Sequence, residues 1–491
     1  MAVHGVFLRC AVLSVLVAVV FGGNGFPHLL DLFTPRVNIP SGYVSTRSEA
    51  FRFRTRVDHL DIQNRATFEF NYVSNDAYYR PGGPIFIIVG GNIALNVFTM
   101  EDGLFHDIAR DEGAWLFSNE HRYYGSSSPV EDYSTPNMRY LSVEQALLDL
   151  IEWIDHLRRE VVRNPNAKVI LHGRGYGGTI AIWARQRFPS LIDGAWGSAA
   201  SVIAQVNFRE FGEDMGRTIR ALGSDECYGI VRSGFRAAEN LVNAGRYDRL
   251  SQLFRTCVPL QADDPLTIET FFFSLKSSFE AEMFSQIDSV GRMCDELVAD
   301  PADSALEVLA NFVERRYGLL DCVPYDFESS IANSMYEAVD APNNADFGIR
   351  QYLYQLCTEF GWFLTSSTGD SPFGTRITYR YFIENCRAVF GDWIDQDVVY
   401  EGVRITNLHF GADDPRVTKV VYVTAEFDPT RFLTLTNYTN LQANAFVVQG
   451  ALSAFDWMPE SETDSEDLLR VRREIVGYVR GWLEGGLIGT K

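Results

Sequence analysis

The segment Lys168-Val-Ile-Leu-His-Gly-Arg-Gly-Tyr-Gly-Gly178 runs from a short apolar stretch through a glycine-rich turn into a helix-forming stretch. A strand, a tight turn of the form Gly-x-nucleophile-x-Gly and a helix together make a nucleophile elbow, which lifts one side chain out of a strained backbone so that it can attack a carbonyl. Laid on that template, Gly173 and Gly177 are the flanking glycines and the nucleophile position falls on Gly175, which has no side chain to attack with. If the turn is kept, the backbone N–H of Tyr176 points into the oxyanion position. Arg174 brings a guanidinium to the edge of the same place, there to pair with Asp428 or to face solvent. A phosphate-binding reading of the glycines is set aside, because the run lies deep in the chain. His172, at the end of the apolar run, reads as a buried, hydrogen-bonded histidine and not as a base.

The elements that must position this turn are legible on either side of it. Thr67 to Asn75 alternates with period two, and Pro84 to Val89, Ala114 to Ser118, Lys168 to His172 and Asp193 to Ala199 are short apolar runs. Separated by helix-period stretches, such runs predict a parallel sheet buried on both faces. Ser142 and Gln145 form a capping-box pattern ahead of the periodic run Ala146 to Leu157, and a second helix is expected from Gly177 to about Phe188. Residues 205–395 change character to mostly helix-period segments, such as Leu266 to Phe284 and Ala305 to Tyr317. Strand and helix alternate again from Val417, ending in an amphipathic helix from about Asp467 to Leu483. The organisation expected is one α/β domain formed by residues 26–204 and 396–491, interrupted by a helical cap at 205–395.

Composition bounds the partners. The 491 residues carry 43 Lys plus Arg against 64 Asp plus Glu, a formal charge of −21, which argues against nucleic acid or an anionic membrane surface as partner. Residues 1–25, with the apolar run Cys10 to Phe21 followed by small residues, read as a secretory signal, leaving no membrane span after cleavage. The other six cysteines, Cys227, Cys257, Cys294, Cys322, Cys357 and Cys386, all fall in the cap stretch and read as up to three disulfides in an oxidising lumen, with fifteen pairings open. No CxxC pair and no histidine occur between Cys227 and Cys386, so no metal site is expected, and no cofactor. Asn437-Tyr438-Thr439 is the one glycosylation sequon.

Five phrases carry a wider resemblance: Glu120-His-Arg-Tyr-Tyr-Gly125, Ser142-Val-Glu-Gln-Ala-Leu-Leu-Asp149, Gly173 to Gly178 with the helix after it, Gln355-Leu-Cys-Thr-Glu-Phe-Gly361, and Asp428-Pro429. In this order the chain resembles the family of lysosomal and secreted serine peptidases that includes prolyl carboxypeptidase, dipeptidyl peptidase II and thymus-specific serine protease. The resemblance implies an α/β-hydrolase fold with a disulfide-stapled, mostly helical cap inserted in it, a secreted or lysosomal location, and a homodimer. It places the catalytic serine at Gly175, with Arg174 replacing a glycine, the catalytic aspartate at Asp428, and the histidine at Ser453; no histidine follows His409. The loop Gly90-Gly91-Asn92-Ile93, where Gly91 would supply an oxyanion N–H, lacks the acidic residue and further glycine more usual in the family.

A serine hydroxyl needs a base to become a nucleophile, and the carboxylate only orients that base. Losing either costs on the order of 10⁶ in kcat, and losing both costs little more. The expectation is therefore a homologue of prolyl-specific serine exopeptidases without peptidase activity, acting as a peptide-binding, regulatory or structural protein, with peptides or an active paralogue as partner. The alternative is an active serine-type peptidase cleaving near proline, or another hydrolase, with a non-standard site.

Overall fold

The computed structural model describes residues 48–485, apart from 96–99, 284–287, 318–319, 346 and 441–442. The expected signal segment, residues 1–25, lies outside the described residues. Eleven strands are described: β1 (Glu49–Arg56), β2 (Thr67–Asn75), β3 (Ile85–Ile88), β4 (Trp115–Asn119), β5 (Val169–Arg174), β6 (Gly194–Ser198), β7 (Gln205–Asn207), β8 (Gly361–Phe363), β9 (Val420–Ala425), β10 (Thr439–Asn440) and β11 (Ala443–Val448). Nine of them form one sheet in the order β1-β2-β4-β3-β5-β6-β9-β11-β10. From β4 through β3, β5, β6 and β9 to β11 every pairing is parallel, while β1 with β2, β2 with β4, and β10 with β11 pair antiparallel. This is the α/β-hydrolase sheet.

Both faces of the parallel strands are covered. On one face Leu147, Trp153, Tyr176 and Ile180 belong to a core that continues into the cap. On the other, Phe86, Ile170, Trp196, Val421 and Val423 pack with Val471, Ile475 and Trp482 of the helix Glu466–Glu484. A strand buried on both faces has no polar alternation to show, which is why these appear in the sequence as continuous apolar runs. Ser142 caps the helix Val143–His156 as its spacing predicts, its Oγ accepting from the N–H of Gln145 at 3.3 Å.

Register is what sets up the site. Arg174 pairs with Ser198, Ser198 with Val423, and Ala425 with Val448, so β5, β6, β9 and β11 all end at the same edge of the sheet. The carboxyl edge of a parallel sheet is where α/β folds place their ligands.

Between β6 and β9 the chain is mostly helical, with long helices at Asp225–Asn243, Pro265–Met283, Ser289–Val298, Ala305–Tyr317 and Tyr379–Phe390. One feature there was not expected from the helix-period pattern: β7 and β8 pair in parallel, Gln205 with Gly361 and Asn207 with Phe363. The six cysteines form three disulfides, Cys227–Cys294, Cys257–Cys322 and Cys357–Cys386, closing separations of 67, 65 and 29 residues. By loop-closure entropy each contributes about 3–4 kcal/mol. Among the described residues no helix is long and apolar enough to cross a membrane.

Candidate functional site

The elbow is built as its glycines require. Strand β5 ends at Arg174 with extended backbone, and the helix Gly175–Arg187 starts at the next residue. Gly175 has φ +49°, the left-handed conformation that a nucleophile elbow imposes at its apex. A Cβ on Gly173 would fall 2.3 Å from the carbonyl carbon and oxygen of Gly177, and one on Gly177 would fall 2.5 Å from the carbonyl oxygen of Val89. Strand end, helix start and the loop after β3 therefore touch backbone to backbone. Gly91 of that loop lies against Gly177 as well, which brings the two expected oxyanion contributors, Gly91 and Tyr176, side by side.

Asp428 follows β9 and is 3 % exposed. It caps the 3₁₀ turn Pro429–Leu433, its Oδ1 accepting from the N–H of Thr430 at 2.9 Å and from Thr430 Oγ1 at 2.6 Å. The loop holding Ser453 runs alongside: Glu426 N–H donates to Val448 O and Phe427 N–H to Ala451 O, both at 2.9 Å. Ser453 is buried. The turn carrying Asp428 is strapped to the helix Glu210–Thr218, where Arg431 makes two hydrogen bonds to Asp214 and Arg217 Nε reaches Asp214 Oδ1 at 2.7 Å.

The described histidines sit elsewhere. His172 Nδ1 donates to Trp196 O at 3.2 Å, and burial pulls its pKa down to about 3. His59 bonds Asp149 Oδ1 at 2.7 Å, His106 packs on Tyr78, His156 on Phe53, and His409 lies in the helix Gln396–Phe410. His121 Nδ1 donates to Arg122 O at 2.7 Å, and burial pulls its pKa down to about 4.

Arg174 departs from both expectations, the pair with Asp428 and the solvent-facing side chain. Its guanidinium lies over the Trp457 ring, 3.6 Å from the centroid, and the carboxylate whose charge acts on it is Asp456. The reason is the chain direction after β11, which brings Phe455 to Trp457 back beside the end of β5. Asp456 is fully buried and accepts from Trp196 Nε1 at 2.7 Å and Ser198 Oγ at 2.5 Å. Ser198 is therefore a donor to a buried acid.

Residues not assigned to the site from the sequence join Tyr176 in a network under the elbow. Tyr176 OH donates to His121 Nε2 at 3.1 Å and accepts from Gln355 Nε2 at 2.7 Å, while Tyr124 OH donates to Gln355 Oε1 at 2.6 Å. The signal was present in the phrases containing His121, Tyr124 and Gln355, but nothing local says that they meet.

At this edge Asp428 is a buried carboxylate, and among the described residues no histidine is hydrogen-bonded to it. Burial, with the charge of Asp214, pushes the Asp428 pKa up to about 6 against the opposing Thr430 hydrogen bonds. A folded-state value above the unfolded one means that the contribution of Asp428 to stability is fully present below about pH 4 and lost as pH rises through about 6. The loss by pH 7 is roughly 2–3 kcal/mol. Asp428→Asn keeps the acceptor for Thr430, so it is expected to be near neutral at pH 4 and stabilising at pH 7. Thermal melts of both proteins at the two pH values check this; a difference independent of pH would contradict it.

The family model described as serine carboxypeptidase S28 matches residues 55–475. Mouse thymus-specific serine protease is 27 % identical over 446 residues, covering 87 % of this chain and 86 % of the relative, and human lysosomal Pro-X carboxypeptidase is 23 % identical over 494 residues, covering 92 % of each. Among solved structures, proline iminopeptidase of Mycobacterium smegmatis overlaps 88 % of this chain and 98 % of its own at 11 % identity and a TM-score of 0.35. With its model spanning most of the sequence, the chain belongs to the serine carboxypeptidase S28 family.

Proposed function

We propose that this protein is a catalytically inactive homologue of the prolyl-specific serine exopeptidases, working in the secretory pathway as a non-catalytic binding protein. The observation that carries the reading is Gly175, a residue without a side chain at φ +49° on the apex of an otherwise complete elbow. The second support is the position expected for the base, Ser453, in a chain with no histidine after His409. Backbone donors and binding alone leave roughly 10³ to 10⁴ over the uncatalysed rate, negligible for peptide hydrolysis. The role that goes with this is to hold peptides, or to pair with an active relative, beneath a cap comprising about residues 205–395. Three disulfides in the cap suit an oxidising compartment, and Asn437, exposed in a bend, suits a glycan.

The test is a fluorophosphonate probe together with prolyl peptide substrates, applied to the purified mature chain. Neither labelling nor cleavage is expected. Labelling of a serine, abolished when that serine is mutated, would overturn the reading.

A further inference from the structure

The short helical segment Leu356–Phe360 meets two helices, Val143–His156 and Gln396–Phe410, at a seam with a cavity of about 260 Å³ lined from all three. No residue of the elbow, and neither Asp428 nor Ser453, lines it. Contact across the seam is close, since a Cβ on Gly402 would fall 2.0 Å from the carbonyl oxygen of Thr358. Glu359 spans it: both carboxylate oxygens face the N–H of Val143, at 2.9 and 3.3 Å, the first N–H of a 14-residue helix. The segment is also tied by the Cys357–Cys386 disulfide, and Gln355, the residue before it, bonds Tyr176 and Tyr124.

Groups that titrate or carry charge stand on every wall. Glu144 is in the first turn of the helix Val143–His156, Arg187 ends the helix Gly175–Arg187, Arg139 lies in the 3₁₀ turn Thr135–Tyr140, and His409 in the helix Gln396–Phe410. Tyr354, Tyr124 and Tyr176 feel the charge of Glu359. Arg187 is paired with Glu144, Nη2 to Oε1 at 3.7 Å, and Arg139 lies over the Tyr140 ring. Among the described residues the charge that acts on Glu359 is the like charge of Glu144, with no cation to offset it. Loss of water in the seam, with that repulsion, pushes the Glu359 pKa up to about 7 against the bonds from Val143 and Gln355. A folded-state value above the ordinary 4.5 means that its contribution to stability is fully present below that value and is lost as pH rises through about 7.

We infer that Glu359 is a proton-operated latch: protonated, it seats the segment Leu356–Phe360 on the start of the helix Val143–His156, and ionised, it puts an uncompensated charge between them that loosens the seam. Because Gln355 adjoins the segment, the loosening reaches the hydrogen bonds that hold Tyr176. The latch stands whether or not position 175 carries a nucleophile and whether or not the cleft holds peptides.

Hydrogen exchange of the mature chain, read by mass spectrometry on the peptides containing Val143 and Glu359 and corrected for the intrinsic pH dependence of exchange, tests this. Protection of both peptides is expected to fall at least about tenfold from about pH 5 to about pH 8. In Glu359→Gln, which keeps an acceptor for Val143 and cannot ionise, protection should be the same at both ends of that range. Glu144→Gln removes the like charge and should move the midpoint of the loss to lower pH, a result that can be read even if Glu359→Gln does not fold. His409→Gln should leave the loss in place. Protection independent of pH in the unaltered chain, an equal loss in folded Glu359→Gln, an unmoved midpoint in Glu144→Gln, or a loss abolished by His409→Gln would each overturn the latch. Titration of Asp428 is read in its own peptide and does not enter.

Discussion

Gly175→Ser combined with Ser453→His is expected to make the protein react with a fluorophosphonate probe at least about 10²-fold faster than either single variant, because nucleophile and base act as a unit whose joint worth is on the order of 10⁶. The backbone already holds the shape a serine would need: φ +49° at position 175, Gly173 packed on Gly177, and Gly177 packed on the loop after β3. The acid also stands ready, since only one of the Asp428 carboxylate oxygens is engaged by Thr430. Serine in the left-handed region costs about 1–2 kcal/mol that glycine does not, so Gly175→Ser alone should melt earlier and gain nothing in reactivity. Arg174 is turned away onto Trp457 and need not be changed for the serine to be reached. A double variant that melts cooperatively and stays unreactive would sink the mapping of the base to Ser453.

How far the molecule could be read from its sequence depended on whether the signal was local. The runs at β3, β5 and β9 could be read because burial on both faces leaves no polar residue to interrupt them. Helix Ala305–Tyr317 falls where its periodicity predicts, and Pro265–Met283 within a residue. Strand β1 gives a weak sequence signal although it alternates Phe51, Phe53 and Thr55 with Arg52, Arg54 and Arg56: it is an edge strand, largely exposed, and the apolar content that marks a strand is diluted there. The elbow was legible from glycine spacing. The surroundings of Arg174 were not, because Trp457 and Asp456 reach it only through the fold, and the Tyr176–Gln355 contact joins residues 179 apart.

That difference explains what the family-like phrases do in this chain. His121 and Tyr124 from one, Tyr176 from a second and Gln355 from a third close a single hydrogen-bonded chain under the elbow. Glu359, from the same phrase as Gln355, accepts from the N–H of Val143 at 2.9 Å, fastening the cap side to the start of the helix Val143–His156. Each of these groups is engaged in hydrogen bonds that join separate elements. They hold the shape of the site, and they retain that task whether position 175 is serine or glycine.

Arg122→Met tests this scaffold reading where the expected loss of stability is largest. Arg122 has no exposed side-chain surface, and its guanidinium grips Asp149 through Nε at 2.6 Å and Nη2 at 2.7 Å. The same side chain donates to Val57 O, Tyr140 O and Arg56 O, so it ties the end of β1 and the segment after it, and the approach to Ser142, to the helix bearing Asp149. Burial pushes the Asp149 carboxyl up, but Arg122 and His59 together hold it below its ordinary value. Removing one partner of a buried ion pair leaves the other charge uncompensated, at a cost of about 3–5 kcal/mol. Against a total stability of about 5–15 kcal/mol that is roughly a fifth of the total or more. Denaturant melts of Arg122→Met should show the loss, and Arg122→Met with Asp149→Leu should recover part of it, because no charge is then stranded. The double variant still lacks the donor that satisfied three backbone carbonyls, so recovery should be incomplete. A single variant that loses less than about 1 kcal/mol would show that the phrases containing Arg122 and Asp149 are not what holds this edge of the sheet together.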